Sequence, residues 1–367
     1  MENNIRCIGI LTSGGDCPGL NAAIRAVAKT VVRKGVGIVG ILDGFTGLVR
    51  NRVMHLGPNE LSGLLTQGGT ILGTSRNKPH KMPLPDGSYQ NMTGAAIENY
   101  KRLGLDCLVC LGGGGTQKNA YRLMRDGELN IVTLPKTIDN DIWGTDVSFG
   151  FDTGMSIACE AIDRLHTTAS SHHRIMIVDV MGHNTGWLAL SAGIAGGADV
   201  ILIPELPFKI ERVLDALVER RKKGKRFSII VVAEGAKPYS SEEGMDEEEK
   251  SKKKKKKDVN FFPHKIPSSE KLATIIETEI GIETRVTTLG YLQRGGIPTP
   301  TDRIIATRLG TKAGECILNH QFGVMIAVRG SEVVPVPLEE IAGKKKYVPA
   351  DHSLIETANK VGVSLGI

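Results

Sequence analysis

Aromatic residues are scarce: Phe, Tyr and Trp make up 4% of the 367 residues. Too few are present to build the stacking platforms on which single-stranded nucleic acids bind. No apolar stretch approaches the roughly 18 residues of a membrane-spanning helix, so no such span is expected. Cysteine is sparse as well, with six at scattered positions, which do not form the dense framework of a disulfide-held fold. Cys107 and Cys110 lie three apart in an apolar run, where strand geometry points them to opposite faces, so they read as buried thiols. The start, Met1-Glu2-Asn3-Asn4-Ile5-Arg6, lacks the basic, apolar and small-residue order of a secretory leader, and a cytoplasmic location is the expectation. A P-loop is absent too, because no Gly-Lys-Ser/Thr follows the glycine-rich loops. The acidic residue that closes a dinucleotide site is also missing, Asp43 sitting in an Asp-Gly turn.

Glycine is abundant, 44 of 367 residues, above the average of about 7% and consistent with many tight loops beside backbone-bound ligands. The length predicts roughly two domains. The formal net charge is +6, yet the longest basic run, Lys250 and Lys252 to Lys257, follows Glu242, Glu243, Asp246, Glu247, Glu248 and Glu249. That segment nearly neutralises itself, so residues 237–268 read as a solvated insertion rather than a nucleic-acid tail. The remaining excess of positive charge suits a small phosphorylated substrate.

Apolar runs alternate with amphipathic ones along the chain: strands at 8–11, 36–42, 107–111, 131–134, 175–180, 201–204, 227–233, 286–289 and 324–328, with helices near 20–33, from 116, and near 185–195. Continuous Val/Ile/Leu runs are the mark of strands buried on both faces. The fold class is therefore α/β, with mainly parallel sheets flanked by helices. In such folds ligands bind in the loops that follow the strands.

Four stretches carry chemistry. Thr12-Ser13-Gly14-Gly15-Asp16-Cys17-Pro18-Gly19 and Gly112-Gly113-Gly114-Gly115-Thr116 each join a strand to a helix, where bare backbone and a helix N-terminus cradle phosphate; each alone is equally a tight turn. Pro135-Lys136-Thr137-Ile138-Asp139-Asn140-Asp141 packs carboxylates, amide, hydroxyl and ammonium together, a composition suited to proton abstraction beside a phosphate or to Asx-turn capping. Arg174, Arg285 and Arg294 supply guanidinium forks for phosphate oxygens, and His172 and His173 beside Arg174 read as solvent-exposed loop residues.

Thr12 to Gly19 with Asn21-Ala22-Ala23-Ile24-Arg25, Gly68-Gly69-Thr70 with Arg76, Thr137 to Asp141, Met181-Gly182, and Leu289 to Gly296 closely resemble the 6-phosphofructokinase family, over about residues 5–315. The resemblance implies two similar α/β domains with the site in their cleft: residues 1–150 plus about 294–345 for the phosphoryl donor, and 151–293 plus about 346–367 for the sugar phosphate. It implies transfer of a phosphoryl group to the 1-hydroxyl of fructose 6-phosphate in glycolysis. Asp139 matches the general base, Thr137 its neighbour, and Arg76 a bridge between donor and acceptor. Gly15, Arg76, Asn77, Gly113, Gly114, Gly115 and Thr116 match donor positions. Thr137, Ile138, Asp139, Met181, Gly182, His183, Glu234, Tyr291 and Arg294 match sugar positions. Arg174 and Arg285 match residues that reach in from a neighbouring subunit, which implies a homo-oligomer, dimer or tetramer.

Departures from the pattern are His183 for an arginine, Tyr291 for a histidine, and Gly114 where a polar residue stands near Mg²⁺, leaving Asp141 as the expected metal ligand. Gly115 leaves room for ATP, whereas Lys136 is typical of the pyrophosphate branch; steric room is the harder constraint, so ATP is the expected donor and pyrophosphate the alternative. A non-catalytic, sugar-phosphate-binding regulatory subunit is the alternative of another class. Arg25 and the basic cluster at 220–226 resemble parts of a bacterial effector site, but Gly57 and Pro58 stand where another effector arginine is expected.

Overall fold

The computed structural model describes residues 5–239 and 268–367; most of the 237–268 insertion therefore lies outside the described residues. The first half of the chain runs β1 (Cys7–Ser13), α1 (Leu20–Val32), β2 (Gly37–Ile41), α2 (Phe45–Arg50), β3 (Val53–His55), β4 (Met82–Pro83) and β5 (Tyr89–Gln90). It continues with α3 (Thr93–Arg102), β6 (Cys107–Gly112), α4 (Gly114–Gly127), β7 (Ile131–Pro135) and α5 (Phe151–His172). Then come β8 (Ile175–Val180), α6 (Trp187–Ala195), β9 (Val200–Leu202), α7 (Ile210–Lys222) and β10 (Ser228–Ala233). After the helix Ser268–Ile280 follow β11 (Thr284–Thr288), the helix Pro300–Leu318, β12 (Val324–Arg329) and β13 (Glu332–Pro337). Two compact units result: one holds the chain to Gly154 plus Tyr291–Lys346, the other Met155–Gly290 plus Tyr347–Ile367.

The first unit is built on a seven-stranded sheet in the order β13-β12-β7-β6-β1-β2-β3. Its centre is parallel, with β1 flanked by β2 and β6, and β6 by β7. These strands are the apolar runs read from the sequence, and β6 and β7 are buried at every position, as strands covered on both faces must be. Both edges are antiparallel, β3 on β2 and β13 on β12, and neither edge strand was expected. β13 is only partly buried and carries Pro335 and Pro337, residues a sheet tolerates at its edge, where a missing N–H leaves no inner ladder broken.

The helix Pro300–Leu318 lies against α1 because of small residues. A Cβ at Gly310 would fall 2.8 Å from Ala23 O, and one at Gly314 2.6 Å from Thr30 Cγ2. Asp302, at the start of that helix, is wholly buried and accepts from Gly150 N (2.9 Å), Thr153 N (2.8 Å) and Thr153 Oγ1 (2.6 Å). It caps the start of α5, satisfying donors that a helix leaves orphaned at its first turn. Burial pushes its carboxyl above the ordinary range, against those hydrogen bonds.

The second unit holds a four-stranded sheet, β11-β8-β10-β9, parallel throughout. No helix among the described residues is long and apolar enough to cross a membrane.

Candidate active site

Three of the loops singled out in the sequence follow β1, β6 and β7, and these strands are consecutive neighbours in the sheet. The register sets Ser13 beside Gly112 and Gly112 beside Pro135, so the loops emerge side by side at about 4.8 Å strand spacing. From β1 the chain runs outward to β2 and β3, then crosses to β6 and β7 on the other side. The β1/β6 border is thus the topological switch point, where open α/β sheets bind ligands.

Hydrogen bonds lock the loops to one another. Gly14, at φ +91°, donates its N–H to Ser75 O (2.9 Å), and Thr74 Oγ1 donates to Gly14 O (2.8 Å). This joins the first loop to the segment carrying Arg76, which is exposed, and Asn77, whose Nδ2 donates to Thr46 Oγ1 (3.1 Å). Thr116 Oγ1 donates to Ser13 O (3.3 Å), and Lys136 Nζ donates to Gly15 O. A Cβ on Gly15 would collide with the Arg294 guanidinium, which also stands 5.7 Å from the centre of the exposed Tyr291 ring. Lys136 and Arg294 thus place two cations on the backbone of Gly15. Burial pulls the Lys136 ammonium below its ordinary range, with Arg294 acting the same way and Cys17, Asp139 and Asp16 opposing. The neighbouring Cys17 thiol is pushed up to about 12, chiefly by burial, which leaves it inert.

α4 begins at Gly114, and neither its first turn nor Gly113 brings a side-chain cap or an acidic residue. A Cβ at Gly114 or at Gly115 would meet nothing within 4 Å. An uncapped helix start leaves free N–H groups at the positive end of the dipole, an arrangement that favours negative charge. Thr116 is buried, and its hydroxyl serves the contact with the first loop.

The third loop closes on itself. Thr137 Oγ1 accepts from Asp139 N (3.1 Å), and Ser148 Oγ donates to Thr137 O (2.8 Å). Asp139 stays partly exposed. Two expectations need correcting here. Ile138 is 2% exposed, so its side chain belongs to the core and only its backbone can meet a sugar. Asp141 Oδ2 lies 3.2 Å from Lys345 Nζ, and a carboxylate already paired with an ammonium makes a poorer ligand for Mg²⁺. Among the described residues no three His, Cys, Asp or Glu side chains cluster as metal ligands.

In the second unit the remaining residues fall into two groups. Met181, Gly182 and His183 follow β8, and Glu234 follows its neighbour β10; Glu234 Oε1 accepts from His183 N (2.6 Å). Arg174 precedes β8, and Arg285 is in register with Met176 near its start. The two groups therefore sit at opposite ends of one strand, about 20 Å apart at 3.3 Å per residue. Arg174 donates to Glu283 Oε2 (2.7 Å) and Arg285 donates to Glu283 Oε1. Glu283, unnoticed in the sequence, holds both guanidiniums on one carboxylate, and the bond from Arg174 holds that carboxyl below its ordinary range.

The sequence named Asn21 within a motif but gave it no role; it is wholly buried in α1. Its Oδ1 accepts from Ile71 N (2.9 Å) and its Nδ2 donates to Gln67 O and Gly68 O (both 3.2 Å), which shapes the Gly68-Gly69-Thr70 turn. An asparagine inside an otherwise apolar helix face was the available signal. Lys346 was missed for want of any signal; burial pulls its ammonium down to about 8.

The Phosphofructokinase family pattern matches residues 7–317. An ATP-dependent 6-phosphofructokinase of Spirochaeta thermophila is 55% identical over 368 residues, 98% of each chain. ATP-dependent 6-phosphofructokinase 3 of Bacteroides thetaiotaomicron is 50% identical, over 98% of this chain and 99% of that one. Among solved structures, phosphofructokinase from Saccharomyces cerevisiae superposes with a TM-score of 0.77 at 30% identity; the match covers 91% of this chain and 45% of the yeast chain. With the pattern spanning most of the sequence and relatives this similar end to end, the chain belongs to the phosphofructokinase family.

Proposed function

We propose that the chain is an ATP-dependent 6-phosphofructokinase, which transfers the γ-phosphoryl group of MgATP to the 1-hydroxyl of fructose 6-phosphate. The observation that carries this reading is the adjacency of the loops after β1, β6 and β7 at the switch point, with phosphate-binding backbone on two and Asp139 on the third. The names of relatives at 50–55% identity favour ATP over both pyrophosphate and a non-catalytic role.

Asp139 takes the proton of the 1-hydroxyl as that oxygen bonds to phosphorus, and the bond from phosphorus to the bridging oxygen breaks to release ADP. Lys136 and the first turn of α4 face the donor's negative charge, with Arg294 beside them on the sugar side. The open space over Gly115 admits the α-phosphate and ribose, which a pyrophosphate user has no need to hold. The Mg²⁺ fits best as part of the MgATP substrate, since Asp141 is paired with Lys345 and Mg²⁺ is commonly held by phosphate oxygens and water. The test is initial-rate formation of fructose 1,6-bisphosphate with Mg²⁺ and either ATP or pyrophosphate. Turnover with ATP is expected; turnover with pyrophosphate alone overturns the donor, and none with either overturns the enzyme reading.

The 20 Å separation of Arg174 and Arg285 from the Met181–His183 and Glu234 group supports sites shared between subunits of a homo-oligomer, in which the two arginines serve a neighbour. Co-assembly of an Arg174→Ala chain with an Asp139→Asn chain then regenerates intact sites. In a random one-to-one mixture half the two-fold pairs are mixed and each holds one intact site of two, so about a quarter of the parent rate is expected. A mixture no more active than its two components would exclude sharing.

A further inference from the structure

Asp139 is followed by Asn140 at φ +51°. Asparagine tolerates this left-handed conformation better than most residues with a side chain, because its short amide can hydrogen-bond locally. Asn140 is buried and its amide binds back into the loop: Nδ2 donates to Asp146 O (3.3 Å) and Oδ1 accepts from Ser148 N (3.0 Å). The far side of the loop is fixed to the sheet, since Val328 N donates to Thr145 Oγ1 (3.0 Å) and Asp146 N to Val328 O (2.9 Å).

Lys346 joins these two sides. Its Nζ donates to Asn140 Oδ1 (3.1 Å), Thr145 O (2.9 Å) and Asp146 O (2.8 Å). Three acceptors match the three protons of an ammonium. Its backbone is laid along the loop as well, with Lys346 N donating to Asp141 O (2.9 Å) and Ile142 bridged antiparallel to Lys345. None of these contacts involves the phosphate-facing loops after β1 and β6.

We propose that Lys346 is a positioning residue for phosphoryl transfer: its ammonium ties Asn140 to the sheet-anchored 145–146 turn and thereby fixes where the Asp139 carboxyl stands. The inference rests on Asp139 acting as the base. A reacting group displaced by about 1 Å loses on the order of a hundredfold in rate, whereas most of the residues read as donor- and sugar-binding lie outside this loop.

The experiment measures kcat, both KM values and the melting temperature of the full-length Lys346→Met and Lys346→Gln proteins, alone and combined with Asp139→Asn. Lys346→Met is expected to lower kcat about a hundredfold with each KM within about threefold of the parent. Lys346→Gln, which keeps a donor, is expected to lose only about tenfold. In the Asp139→Asn background Lys346→Met should cost less than about twofold more, because the group it positions is gone. A folded Lys346→Met protein with kcat within about twofold of the parent overturns the proposal, and so does an undiminished loss in the Asp139→Asn background. Should Lys346→Met fail to fold, a Lys346→Gln protein with the parent kcat overturns it equally. An active Asp139→Asn protein refutes the base itself, whereas an inactive one beside fully active Lys346 variants refutes only the role of Lys346.

Discussion

Replacing Asp139 with asparagine is expected to lower kcat about a thousandfold, the middle of the range for losing a general base, while each KM changes by less than about threefold. The substitution keeps shape and removes charge and basicity. The loop has main-chain and neighbouring holds that the substitution leaves in place: Asp139 N is held by Thr137 Oγ1, and the turn beyond it by Asn140, Ser148 and Lys346. Binding rests on backbone and cations elsewhere, with Gly15 flanked by Lys136 and Arg294. Because the asparagine keeps the binding geometry, the loss should fall on the transition state alone. The check is steady-state kinetics with MgATP and fructose 6-phosphate varied in turn, together with the melting temperature. A variant whose KM for fructose 6-phosphate rises with kcat intact would make Asp139 a binding group and not the base.

Placing aspartate at Gly115 is expected to lower kcat/KM for ATP by about a hundredfold or more, since like charges brought together on binding cost several kcal/mol. Nothing in the fold resists the change: an added Cβ meets no atom within 4 Å. A carboxylate in the first turn of α4 even complements the helix dipole, so the melting temperature should hold or rise. The effect is confined to the donor, whose α-phosphate would share that position with a negative side chain of similar size. Fructose 6-phosphate should keep its KM. Initial rates with ATP and with pyrophosphate, in parent and variant, measure this directly. An unchanged kcat/KM for ATP would remove Gly115 from the donor site and reopen the part played by Lys136.

Both predictions depend on loops that were legible in the sequence, because glycine runs and an Asp-Asn-Asp triplet after apolar strands are local signals. Roles within those loops were less legible. Ile138 stands between Thr137 and Asp139 and matches a sugar-contacting position, yet the loop turns its side chain into the core. Asp141 has the composition of a metal ligand, yet Lys345, about two hundred positions on, pairs with it. Glu283 appeared unremarkable until β11 set it where Arg174 and Arg285 both reach its carboxylate.

The sequence by itself determined the α/β class, the buried parallel strands and the three loops that follow them, because strand burial and loop chemistry are written in consecutive residues. Only the tertiary structure decided that β7, β6 and β1 are neighbours, that β3 and β13 close the sheet edges antiparallel, and that Lys346 grips Asn140. It alone set Arg174 and Arg285 at the far end of β8 from Met181 and Glu234. Strand order follows from how crossovers pack and from which surfaces they bury, and a contact between residues two hundred positions apart leaves no periodicity in either segment.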